Sequence, residues 1–366
     1  MEQASQCITF DKGITSIVKG MAIIFMIMLH GYTQELYDDA TLDFDNRFIV
    51  STYILKICVG MYTFMVGYGY SFSKSRDWRY GWQHIKRLLL SFWVILFVFT
   101  LPACFREVLQ TDVITLLYNL VGIDSHFNYF SWFVYFYIFA MLVMPGLSRL
   151  IDRRPLPLTL AVVVLAVILA GAVHEIPRLA GWMGLDMPAI TEISPLLALF
   201  NCLMMTPIMV LGYLFARQRY YERINVSRLP KLLTLILCVV VFVGVFLLKR
   251  YLSLPFKLPF QMDFFYAPLI IGAIAVAFNV FEMRPLRVVL AKFGDVSVYM
   301  WFFHALFFTL AVRWFYQPAI TIFHDINLVV LWTIVLTFIS SWLIKRAVDY
   351  VTTCFASKSS TQTTMP

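Results

Sequence analysis

The strongest constraint on this chain is a succession of apolar runs, each about as long as a bilayer is thick, separated by short polar connections. Runs bounded by charge or by Pro and Gly predict helices near residues 14–34, 48–73, 85–103, 128–148, 157–174, 195–216, 231–249, 263–281, 294–313 and 326–348. A membrane-crossing helix needs about 20 residues, so ten such segments leave no room for a sizeable soluble domain. Composition settles the class: 61% hydrophobic against 14% charged residues is the wrong balance for a water-soluble globule. The expected fold is all-α, a polytopic membrane helix bundle with about ten transmembrane helices forming one domain over residues 1–350. A short polar tail follows at residues 351–366, and its Ser/Thr-rich end from Ser357 to Pro366 is expected to be disordered.

The net charge of +8 would suggest a nucleic-acid partner in a soluble protein, but here the basic residues fall between the apolar runs and report topology. With the N-terminus placed in the cytoplasm, 21 of the 29 Lys and Arg residues lie on the inner side. The first outer loop collects Glu35, Asp38, Asp39, Asp43 and Asp45. Both termini are therefore expected to be cytoplasmic. The first apolar run lacks a small-residue cleavage site and reads as an uncleaved span.

Two connections are more than turns. Residues 104–127 mix Arg106, Glu107, Asp112 and Asp124 with Val108, Leu109, Val113, Ile114, Leu116 and Leu117, a pattern that predicts an amphipathic helix at the outer surface. Residues 174–194 hold Pro177, Gly181, Gly184 and Pro188 and read as a non-helical outer stretch. Either suits ordinary interfacial packing or the cover of an outward-facing site. The six cysteines show neither CxxC spacing nor histidines at ligand intervals, so neither a metal site nor a disulfide framework is expected.

Ionisable groups inside spans cost about 2.5–3.5 kcal/mol each on insertion scales. In the first span, SIVKGMAIIFMIMLHGYT, Lys19 and His30 are eleven residues apart. On an α-helix that is about three turns, within roughly 20° of one face and roughly 16 Å along the axis. A poorly hydrated histidine tends to stay neutral and able to accept a hydroxyl proton, which is what a general base requires. A histidine bonded to a neighbouring helix, and a lysine snorkelling to the headgroups, explain the same residues without chemistry. The ninth run, FGDVSVYMWFFHALFF, repeats the theme with Ser297 and His304 seven residues apart. Asn201 and Asn279 suit interhelical hydrogen bonds, and Trp132, Trp82 and Trp182 suit aromatic belts.

These segments together resemble the membrane acyltransferase 3 family. VKGMAIIFMIMLH is similar to its opening basic-Gly…His motif. MYTFMVGYGYSFSKS and HIKRLLLSF are similar to its aromatic-glycine span and the basic motif that follows. YFSWFVYFYIFAMLVMP, PIMVLGYLFAR and FGDVSVYMWFFH resemble its later elements, in family order from about residue 11 to residue 346. The chain departs from the pattern in carrying Lys19 for Arg, Val66 for Ser, and Leu90 and Trp93 for Arg and Pro; Lys19 keeps the charge without the planar fork of Arg.

The resemblance implies an O-acyltransferase of the cell (inner) membrane that takes an acyl group, usually acetyl, from cytoplasmic acyl-CoA. The group passes to a hydroxyl of a cell-surface carbohydrate or its lipid-linked precursor. Acyl-CoA is then a co-substrate, with no bound cofactor and no metal. His30 is the expected catalytic residue, as general base or acyl relay. Lys19, Lys86 and Arg87 would hold the acyl-CoA phosphates, and Trp132, Ser297 and His304 would contact substrate or support the site. The competing class is a multi-span transporter, flippase or polymerase of surface polysaccharide. Ion-coupled versions would bury acids at mid-membrane, whereas Asp263, Glu282 and Asp295 fall at predicted span ends. A membrane scaffold explains the topology but not Lys19 with His30.

Overall fold

The computed structural model describes residues 7–39, 41–49, 52–168, 194–226, 229–253 and 259–362. Among these the chain is helical, and its only strand-like pairings are the isolated bridges Cys7 to Asn225 and Asp43 to Asp325. The helices are α1 (Lys12–Gly31), α2 (Ile57–Ser71), α3 (Trp78–Ile95), α4 (Phe105–Gln110), α5 (Val113–Leu120), α6 (Trp132–Asp152), α7 (Leu156–Ile168), α8 (Ser194–Arg217), α9 (Lys231–Leu248), α10 (Pro259–Val280), α11 (Arg284–His304), α12 (Leu310–Tyr316) and α13 (Ile326–Gln362). Among the described residues, seven are long and apolar enough to cross a bilayer, and the pair Arg284–Phe307 and Leu310–Ala319, bent by 87°, makes an eighth. The remaining two expected segments are shorter. The 15-residue α2 is almost wholly enclosed by other helices, and α7 borders residues 169–193, so the predicted non-helical stretch at 174–194 lies almost entirely outside the described residues.

Two helix crossings fix the bundle, and both depend on glycine. A Cβ on Gly20 of α1 would collide with the Leu290 carbonyl of α11, and one on Gly294 with the Ser16 carbonyl. A Cβ on Gly67 of α2 would strike the Met209 carbonyl of α8, and one on Gly212 the Phe64 carbonyl. Lipid tails are as apolar as leucine, so helices in a bilayer gain little from burying apolar surface against each other. Backbone contact across small residues supplies the dispersion that holds them. Because α1 and α11 run side by side in the same direction, their C-terminal ends, His30 and His304, meet.

The end of the bundle that carries most of the basic loops is tied through Asp152. Its carboxylate accepts from Arg76 at 3.0 Å and from the Tyr213 hydroxyl at 2.9 Å, and pairs with Arg217 at 3.2 Å. At the far end the first loop is stapled to the segment after α12. Asp38 pairs with Arg313 at 2.5 Å, the Asp38 N–H donates to Gln317 Oε1 at 2.9 Å, and Asn327 Oδ1 accepts from the Tyr32 hydroxyl and the Phe48 N–H.

The predicted amphipathic helix over 104–127 is two short ones. α4 ends at Gln110, and the Asp112 carboxylate accepts from Thr115 N–H at 2.9 Å to cap α5. An aspartate accepts that first-turn N–H more readily than it sits inside a helix, so it restarts the element. Phe105, Leu109, Val113, Ile114 and Leu117 are left exposed along the pair, as an interfacial location requires. At the other end of the chain, α13 continues to Gln362 through most of the expected tail. An established helix template lets weak helix formers propagate.

Candidate active site

His30 ends α1 and His304 ends α11. Their rings are nearly coplanar, with His30 Nδ1 2.9 Å from His304 Nε2. His304 is wholly buried, and its Nδ1 lies 3.0 Å from the Met300 carbonyl. A carbonyl only accepts, so in the neutral pair the order of protons follows from the network. His304 Nδ1–H donates to Met300, His304 Nε2 accepts, and His30 Nδ1–H must donate to it. The lone pair of His30 therefore rests on Nε2, on the ring edge turned away from His304. Phe130 covers both rings, stacked at 3.6 Å from His30 and 5.2 Å from His304 between centroids.

His30 lines a cavity of about 260 Å³, with Lys56, Tyr129, Trp132, Asn201 and Trp301 among its other walls. A second, larger cavity of about 430 Å³ opens nearer the basic end. Lys19, Arg87, His84, Tyr80, Asp295 and Ser297 are among its polar lining. Around Lys19 the Ser16 hydroxyl donates to Asp295 Oδ1 at 3.1 Å, and the Tyr62 hydroxyl donates to the Lys19 carbonyl at 3.1 Å. His84 Nδ1 is 2.9 Å from the Tyr80 carbonyl, which makes Nδ1 the donor.

The residues singled out in the sequence therefore divide between two chambers. Lys19, Arg87 and Ser297 line the larger one, His30 and Trp132 the smaller, and His304 stands behind His30. Lys86 lines neither: it is exposed, with its ammonium 5.7 Å from the Trp82 ring centroid. On α3 the adjacent residue Arg87, also exposed, lines the larger cavity, about 100° round the helix from Lys86. Asp263 falls at the start of the apolar span Met262–Val280, as expected of a span-end acid, and is wholly buried and paired with the equally buried Lys249. Neither side chain lines either cavity, so the pair offers no coupling acid on a pathway. Asp295, also read as a span-end acid, faces the larger cavity.

Three contributors were not singled out in the sequence, Phe130, Trp301 and His84, and Asp295 was read there only as a span-end acid. His84 stands three residues before Arg87 in a basic motif, one turn away, which was a usable clue. Phe130 and Trp301 are two aromatics among 34 Phe and 9 Trp.

The profile of a family described as an acyltransferase domain matches residues 16–346, which run from within α1 to the basic turn of α13 and hold both His30 and His304. The chain belongs to the acyltransferase 3 family. No curated protein and no solved structure matches it. As a membrane acyltransferase it has a bundle with two chambers that share the Trp301 wall. Among the described residues no group of His, Cys, Asp and Glu is placed to hold a metal ion.

Proposed function

We propose that this acyltransferase moves an acyl group, acetyl in the first instance, from cytoplasmic acyl-CoA to a hydroxyl of a cell-surface carbohydrate or its lipid-linked precursor. The basic end then faces the cytoplasm of the inner membrane, with both termini on that side. The observation that carries the reading is the hydrogen-bonded pair His30–His304, of which His30 lines one chamber, with a cation-bearing chamber sharing its Trp301 wall.

Lys19 and Arg87 supply a positive field for the anionic donor at the mouth of the larger chamber. The acceptor hydroxyl enters the smaller one. His30 Nε2 takes the hydroxyl proton as the oxygen attacks the thioester carbonyl. The ester C–O bond forms, the thioester C–S bond breaks, and the proton passes to the departing thiolate, which leaves as CoA thiol. Throughout, His30 Nδ1–H stays bonded to His304, which fixes the tautomer and spreads the positive charge that forms on His30, the orienting role a third group plays in nucleophile–base arrangements.

The test is His30→Ala in membranes where insertion has been verified, with radiolabelled acetyl-CoA as donor and label counted in the glycan fraction. Transfer is expected to fall by about 10²–10⁴. Unchanged transfer rejects the role of His30.

A further inference from the structure

Among the described residues, one side chain lines both chambers: Trp301. It is 6% exposed and lies three residues before His304 on α11. On the side of the larger chamber its ring packs on Phe133 at 4.6 Å and on Tyr62 at 5.0 Å between centroids. On the other side it shares the smaller chamber's wall with His30. Its indole N–H donates to the Phe130 carbonyl at 3.1 Å, and the Phe130 ring stacks on His30. The ring is thus held at both ends: by aromatic contacts below and by a hydrogen bond that allows one orientation.

Trp301 is the wall that the two chambers share among the described residues, and it stands between the larger chamber and His30. From that position we infer that Trp301 is the residue that sets the length of acyl chain transferred, an inference that rests on the acyl-transfer reading above. The carbonyl carbon has to present itself on the His30 side, and the alkyl part has to fit beside the indole. A propyl group demands more room beside the indole than a methyl group does. The larger chamber, at about 430 Å³, does not impose that limit itself. A longer acyl-CoA is therefore expected to dock and stall. The bonds made and broken are unchanged, with the ester C–O forming, the thioester C–S breaking and the hydroxyl proton leaving with the thiol.

The first measurement uses the unaltered protein in inside-out membrane vesicles, supplied with radiolabelled acetyl-CoA or radiolabelled butyryl-CoA. Acetyl transfer is expected to exceed butyryl transfer by at least about tenfold, since each methylene that does not fit costs about 10–200-fold. Unlabelled butyryl-CoA should still inhibit acetyl transfer. Equal transfer of the two acyl groups overturns the assignment. Transfer of neither overturns the acyl-transfer reading and takes this one with it. The second measurement takes Trp301→Ala and Trp301→Phe, each normalised to detergent-extracted, monodisperse protein. Trp301→Ala should raise the butyryl-to-acetyl ratio by about tenfold or more. Trp301→Phe, which removes the N–H but keeps a ring, should lower both rates with a much smaller change in ratio. If the alanine variant does not fold, the result on the unaltered protein still decides. An unchanged ratio in a folded alanine variant, or an equal change in both variants, overturns the assignment.

Discussion

His30 with His304 and Lys249 with Asp263 both place paired polar side chains in an apolar interior, yet only the first pair borders a cavity. In the second, the Lys249 ammonium and the Asp263 carboxylate close on each other at 0% exposure, with the Tyr266 ring 5.8 Å from the ammonium. Asp263 packs against the bare backbone of Gly60, where a Cβ would come within 2.7 Å of the Asp263 Cβ. That pair joins α10 to the end of α9 and does nothing else visible. The histidines are linked in a row from the Met300 carbonyl through His304 to His30, and His30 lines a chamber. Burying a polar pair is costly in either case; whether the last atom of the row has somewhere to act distinguishes a structural tie from a reactive site.

Substitutions can break or sharpen this contrast. The largest effect falls on His30→Ala, with transfer down by about 10²–10⁴ and thermal unfolding in detergent little changed. Asp263→Ala should do the reverse. Leaving Lys249 buried and unpaired costs about 3–5 kcal/mol, read as loss of folded protein by size-exclusion chromatography and a lower melting temperature. The double change Lys249→Met with Asp263→Leu should recover most of that loss, because an apolar pair of similar volume needs no counter-charge. If Asp263→Ala folds normally, the tie is not structural. His304→Ala comes next, with transfer down by about 10² because His30 loses the partner that orients it. The smallest effect is expected for Lys19→Met, about a tenfold rise in KM for acetyl-CoA with kcat held, as loss of one charge contact to a bound anion implies. Lys86→Met, on the exposed side of α3, should leave that KM alone.

Much of the fold was legible because membrane helices announce themselves locally: a run of apolar residues needs no partner to be read. His30 and Lys19 stood out for the same reason, as costly residues in an otherwise apolar segment. What was not legible depends on contacts between distant segments. Asp263 and Lys249 each sat at the edge of an apolar run, where solvated charge is ordinary, and only the packing of α10 on α9 shows that they close on one another. The length of α2 was overestimated because its enclosed residues are as apolar as lipid-facing ones. Lys86 and Arg87 are indistinguishable as a basic pair until α3 is given a rotation. Trp301 was one aromatic among many until two hollows were seen to share it.

The partners of the reactive pair lie 274 residues apart in the chain. At 5–20 residues per second, roughly 14 to 55 s separate the synthesis of the two rings. The first helix therefore waits in the membrane with its imidazole unmatched until nearly all the others have been inserted. A nascent or prematurely terminated product would hold the first helix's lysine and histidine but not the histidine pair. The site is thus incomplete until assembly is essentially finished.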